Sequence, residues 1–106
     1  MNIPAQAIIA REKLTHYLLV PKRKNDKSRF LAQAGFTLAN PHALETAIRQ
    51  LLRENEAVVD RENEYGTFYQ VQGDLRGPDG ILTVVTVWIL QDINGTFRFV
   101  TLKPAR

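Results

Sequence analysis

The stretch ILTVVTVWIL, residues 81–90, is the most apolar and β-branched run in the chain. β-Branched and aromatic side chains fit an enclosed, pleated surface, so Ile81 to Leu90 is expected to form a central strand. Immediately before it, Pro78-Asp79-Gly80 makes a tight turn. Immediately after it, Asn94-Gly95 is a strong hairpin signal leading to a strand over Phe97 to Leu102, and Pro104 closes the sheet. On the N-terminal side Thr67 to Gly73 alternates, with Thr67, Tyr69 and Val71 on one side and Phe68, Gln70 and Gln72 on the other. Ala57 to Arg61 completes the set as a first strand. Within the central strand, Val85, Val87 and Ile89 form an aliphatic set suited to the core. Val84, Thr86 and Trp88 are assigned to the open face.

Before Asn55 the period is helical. Arg11 to Leu19 reads as a first helix, with Leu14, Tyr17 and Leu18 on one face, ended by Pro21. A second helix carries Phe30, Leu31 and Ala34, capped by Asn25 or Asp26 and stopped by Gly35. The third is the best signalled: Asn40 at the N-cap, Pro41 at the first helical position, and Leu44, Ile48, Leu51 and Leu52 as the buried stripe. Helices first and strands last, joined by hairpin-length links, give an α+β domain with N-terminal helices packed on one face of a four-stranded antiparallel meander. Residues 1–106 read as one domain. It comprises a tail or short extended segment over 1–10, a helical part over 11–55 and the β-meander over 56–104.

Composition bounds the chemistry. The 106 residues contain no cysteine, which removes disulfides, thiolate metal sites and a cysteine nucleophile. No spacing of His with Asp or Glu suggests a metal site, and no glycine-rich loop suggests a nucleotide cradle, so no cofactor is expected. Ile8-Ile9-Ala10 is too short for a membrane or signal segment, which leaves a cytoplasmic protein as the expectation. The sequence carries no signal for an oligomeric state.

Charge is distributed unevenly. Five of the fourteen basic side chains, Lys22, Arg23, Lys24, Lys27 and Arg29, fall within eight residues and are diluted only by Asp26. From Val20 to Phe30 the net charge is therefore +4, against +3 for the whole chain. The run leads into the expected N-terminus of the second helix, where free amides and the positive dipole end favour an anion. This points to RNA or another polyanion as partner; the plain alternative is a solvated basic loop. A second block, Glu54 to Glu64, holds Glu54, Glu56, Asp60, Glu62 and Glu64 against Arg61. Three readings stand for it: pairing with the basic loop, a charged strand edge that resists aggregation, or a solvated face.

Several segments together resemble an uncharacterised bacterial domain family: REKLTHYLL-P at Arg11 to Pro21, DKSRF at Asp26 to Phe30, GFT at Gly35 to Thr37, YGTFY at Tyr65 to Tyr69, GPDG at Gly77 to Gly80, TVW at Thr86 to Trp88 and FVTLKP at Phe99 to Pro104. Members of that family occur as small stand-alone proteins and as C-terminal modules of phage-type and polymorphic-toxin proteins. Helices followed by a four-stranded meander are similar to the toxin superfamily that joins barnase, EndoU, colicin-type nucleases and RelE. The resemblance implies a metal-independent RNase-like toxin module, countered by an antitoxin or immunity protein. Two departures matter. Many members have a His and glycines where this chain has Lys22-Arg23-Lys24-Asn25, and many have an Arg at the position of Val85. Either the dense lysines substitute for those groups or the chain binds nucleic acid or protein without cutting.

Metal-free RNA cleavage needs a base, an acid and a cation beside the phosphorane oxygens. Lys27, matching the Lys of DKSRF, is expected to stabilise charge, with Lys22, Arg23, Lys24, Arg29 and Arg98 binding phosphate. Tyr69 and Tyr65 are expected as acid, base or stacking groups, or as cross-strand packing. Thr86 and Thr101 are expected to orient a phosphate, His16 to act as a base, and Trp88 to stack a base or fill the core. His42 is expected at the surface.

Overall fold

The computed structural model describes residues 1–24 and 26–105. Along the chain run α1 (Arg11–Lys13), a π-helical turn (Leu14–Leu18), α2 (Ser28–Ala32), α3 (Pro41–Glu54), β1 (Val58–Asn63), β2 (Gly66–Gly77), β3 (Gly80–Gln91) and β4 (Thr96–Pro104). The four strands form one antiparallel sheet in the order β1-β2-β3-β4. An α+β meander is thus what the sequence builds.

The helical stripe on α3 is the expected one extended by Ala47: Leu44, Ala47, Ile48, Leu51 and Leu52 are buried against the sheet. Each leucine or isoleucine so enclosed contributes about 1.5–3 kcal/mol. Asn40 does occupy the N-cap position, but its side chain turns back rather than capping. Its Oδ1 accepts from the Thr37 amide at 2.8 Å and its Nδ2 donates to the Gly35 carbonyl at 3.0 Å. Gly35, at φ +89°, ends α2 in the left-handed region. The β2–β3 turn docks on that end, with the Asp79 amide donating to the Ala34 carbonyl at 2.9 Å. A Cβ at Gly77 would run into the same carbonyl and the Phe36 ring.

The faces of the sheet are the reverse of expectation. Val84, Thr86 and Trp88 point into the core and are fully enclosed, while Val85, Val87 and Ile89 lie on the uncovered side, partly exposed. Volume and a satisfied hydroxyl decide this. Trp88 is the largest apolar payload on the strand, and its indole Nε1 donates to Thr86 Oγ1 at 2.8 Å. Thr86 Oγ1 in turn donates to the Val71 carbonyl at 2.9 Å, so the one polar side chain among them leaves nothing unpaired. Phe99 packs edge-on to Trp88 with centroids 5.3 Å apart.

The first ten residues are packed, not trailing. Ile3, Ala7 and Ile9 are buried. Ile8 makes a parallel bridge to the outer edge of β4, its amide donating to the Phe97 carbonyl and its carbonyl accepting from Phe99. The Arg49 guanidinium on α3 donates to the carbonyls of Ala5 and Ala7 at 2.6 and 2.8 Å, which ties this segment to the helix. The bridge stops at Phe99. Beyond it β4 carries a bulge: Val87 pairs with Thr101 and Trp88 with Phe99, which leaves Val100 as the extra residue.

The N-terminal helix is also irregular. After three α-helical residues the chain widens, and the Leu19 amide donates to the Leu14 carbonyl five residues back at 3.0 Å. Leu14, Leu18 and Leu19 remain buried. Tyr17, expected among them, lies at the margin of the core and faces β4.

Candidate functional site

Lys27, Tyr17 and Thr101 meet beside the Val100 bulge. Lys27 Nζ donates to Thr101 Oγ1 at 3.0 Å and to the Tyr17 hydroxyl at 3.3 Å, and that hydroxyl lies 3.3 Å from Thr101 Oγ1. Thr101 Oγ1 is also 3.3 Å from the Leu102 carbonyl, so its one proton is shared between that carbonyl and the Tyr17 oxygen. An ammonium has three N–H donors. Two are engaged among the described residues, which leaves a third for a ligand.

Among the described residues, three cations surround the Tyr17 ring. Lys22 Nζ lies 4.0 Å from its centroid, Lys27 Nζ 5.4 Å and Lys13 Nζ 5.9 Å. The hydrogen bond to Thr101 is the main reason the Tyr17 phenol ionises below its ordinary range. Burial works against this, while the Lys27 hydrogen bond and the charges of Lys27 and Lys22 reinforce it. Beside the ring opens a groove of about 530 Å³, lined by Ala10, Glu12, Lys13, His16, Tyr17, Lys22, Val100 and Thr101. His16 Nδ1 is 2.9 Å from Thr15 Oγ1, whose proton goes to the Arg11 carbonyl at 3.2 Å. With the Thr15 proton on the Arg11 carbonyl, Nδ1 is the donor of that pair, and no partner of Nε2 occurs among the described residues.

The π-helical turn and the bulge create this meeting. The first turns Tyr17 and His16 toward β4; the second turns Thr101 toward them. Lys27 arrives from the residue preceding α2. Asp26 Oδ1 fixes that end, accepting from the Ser28 amide at 2.9 Å and the Ser28 hydroxyl at 2.6 Å. These same bonds, with smaller help from the Lys22 amide and Arg29, hold the Asp26 carboxyl below its usual range. The carboxylate therefore takes an amide that the basic run was expected to leave free for an anion. α2 is only five residues long, so its dipole adds little at that end. Asn25, the other capping candidate, lies outside the described residues.

Of the residues singled out from sequence, Lys27, Thr101, His16 and Lys22 converge here. Arg23 and Lys24 are exposed on the adjoining loop, and no ion pair ties either to the acidic block among the described residues. Arg29 lines a separate depression with Leu19, Pro21 and Phe36. Arg98 is exposed on β4 opposite Ile89, outside the groove. Tyr65 is 70% exposed at the β1–β2 turn and is remote from the groove lining, which removes it as a stacking group there. Tyr69 faces the helix-covered side and packs edge-on to Phe97 at 5.5 Å. Thr86 and Trp88 are enclosed and bonded to each other. No ligand reaches Thr86 or Trp88, so Tyr69, Thr86 and Lys27 share no cleft. His42 is exposed at the start of α3.

The acidic block has its own partners: Glu54 pairs with Arg76 at 3.5 Å, Glu56 with the Met1 amino group at 3.4 Å, and Asp60 with Arg61 at 3.3 Å. Sequence reasoning missed Tyr17, Glu12 and Lys13. A signal existed in the REKLTHYLL segment, where these three share a helical neighbourhood with His16, but an apolar stripe claimed Tyr17 for the core.

The model of a domain of unknown function, DUF6883, matches residues 2–106. The chain belongs to this family. The match spans the N-terminal bridge, the π-helical turn, the basic loop and the bulged strand, so every component of the groove lies inside the DUF6883 domain. No curated protein and no solved structure matches the chain. No helix among the described residues is long and apolar enough to cross a membrane.

Proposed function

We propose that this DUF6883 chain is a small endoribonuclease of the toxin type that cleaves RNA in the Tyr17 groove without a metal ion. The observation that carries the reading is the triangle of Lys27, Tyr17 and Thr101 beside His16 and Lys22. It gathers the three groups that the reaction requires.

In this reading a phosphodiester lies against Lys27 and Lys22, whose ammonium groups offset the charge developing on the phosphorane oxygens. His16 Nε2 takes the proton of the 2′-hydroxyl as the 2′-oxygen bonds to phosphorus. The bond from phosphorus to the 5′-oxygen breaks, and the Tyr17 phenol supplies the proton to the departing oxygen. A phenol whose pKa is drawn down is the stronger acid for that step. Thr101 orients the phenol and the ammonium. The products are a 2′,3′-cyclic phosphate and a 5′-hydroxyl, and a later proton return from His16 to Tyr17 restores the site.

The test is incubation of purified protein with cellular RNA in EDTA. Discrete fragments ending in a 2′,3′-cyclic phosphate are expected, together with growth arrest on expression that a cognate antitoxin or immunity protein relieves. Salt-sensitive RNA binding with no fragments would replace catalysis with a binding module, the reading favoured by Lys22-Arg23-Lys24 at the loop position where the sequence resemblance implies a histidine. Absence of both would overturn the proposal.

A further inference from the structure

We infer that the groove contains a nucleobase subsite, in which an amino-bearing base of single-stranded RNA stacks on the Tyr17 ring in place of the Lys22 ammonium. This rests on the nucleic-acid reading above and adds the class of nucleotide recognised.

Three observations converge. First, the groove is more than an anion site. Ala10, Val100 and the Tyr17 ring give it apolar walls, which a bare phosphate cannot use. Its volume of about 530 Å³ falls within the range of small-molecule sites, roughly 300–1,000 Å³. A flat, apolar group attached to a phosphate fits both halves of that lining.

Second, the face of Tyr17 is held by a removable cation. Lys22 is exposed, sits on a loop and covers the ring at 4.0 Å. An exposed cation–π contact is weak, so a base stacking on the ring displaces it. The displaced ammonium is then free to meet the attached phosphate, which links occupancy of the ring to charge pairing. Base stacking on an aromatic side chain also requires an unpaired strand.

Third, Glu12 lines the same groove. A carboxylate opposes phosphate binding unless it faces donors. No ion pair of Glu12 occurs among the described residues. Carboxylates read exocyclic amino groups, as in acceptance from cytosine N4. Uracil has no such group and presents a carbonyl instead.

The experiment uses 2′-O-methyl oligonucleotides, which cannot be cleaved, and follows anisotropy with the full-length protein. Oligo(C) is expected to bind at least about fivefold more tightly than an abasic strand of equal length and charge, and more tightly than oligo(U). Tyr17→Phe keeps the preference over the abasic strand; Tyr17→Leu loses it while retaining the native circular dichroism spectrum. Glu12→Ala removes the discrimination between C and U. Equal binding of oligo(C) and the abasic strand, or of oligo(C) and oligo(U), overturns the subsite but leaves phosphate binding standing. No binding of any strand, nor of inorganic polyphosphate, overturns both.

Discussion

The Lys27 ammonium donates to the Thr101 hydroxyl at 3.0 Å across seventy-four residues of chain. That bond joins the basic loop to the bulged edge of the sheet, and Tyr17 lies within 3.3 Å of both partners. Replacing Lys27 with Ala is expected to lower RNA cleavage by about 10²–10³-fold, the effect of removing one preorganised charge-stabilising donor. Its cost in stability should be only about 1 kcal/mol, because the two bonds it makes are partly solvated. Fragment yield on RNA gels and urea denaturation of the same preparation separate the two effects. A variant that unfolds outright would show the bond to be chiefly structural.

Tyr17 makes the site sensitive to alkaline pH. Its phenol ionises below the usual tyrosine range near 10, first because of Thr101 and then because of Lys27 and Lys22. A depressed folded-state pKa adds stability that is fully present above the unfolded value and is lost as pH falls through the folded value. The stability difference between wild type and Tyr17→Phe should therefore grow as pH rises through the window just below 10. Cleavage should fall in that same window, since the general acid is then deprotonated. Ultraviolet titration should detect a phenolate forming early in wild type, later in Thr101→Val, and not at all from this position in Tyr17→Phe.

Neutralising Lys22, Arg23 and Lys24 together should weaken RNA binding and flatten its dependence on salt. For a single strand, every cation–phosphate pair removed reduces the slope of log affinity against log salt by roughly 0.7. An unchanged slope would mean that the loop faces solvent without touching the backbone. Neutralising Glu54, Glu56 and Glu62 in the same manner should leave the slope nearly unaltered, because these side chains lie outside the groove lining.

Thr86→Val tests the core in isolation from the site. The substitution preserves shape but leaves the buried Trp88 indole N–H without its acceptor. A loss of about 1–3 kcal/mol is expected, read from chemical denaturation followed by Trp88 fluorescence. RNA binding at low temperature should be unaffected, since neither residue reaches the groove.

The pattern of strands and the third helix were legible because their signals are local and repeated. β-Branched residues, the Pro78-Asp79-Gly80 turn, Asn94-Gly95 and the Leu44-Ile48-Leu51-Leu52 stripe all agree with the structure. The choice of sheet face was not legible, since both sides of β3 are apolar. It turned on the bond between Thr86 and Trp88, a pairing that alternation cannot reveal. The position of Tyr17 was hidden for a different reason: an α-helical period was applied where the chain forms an i→i+5 turn. Lys27 is marked by its charge and by DKSRF, Lys22 by charge alone, His16 by its place on the first helix, and Thr101 by its place on the last strand.

Both departures from regular geometry have the same arithmetic: one residue more than the ideal period allows, once in the turn after α1 and once at Val100. Shortening either segment by a single residue would restore an ordinary helix or an ordinary ladder. After such a deletion the phenol and the hydroxyl would no longer face each other. The spacing of these two segments is thus what brings Tyr17 and Thr101 together.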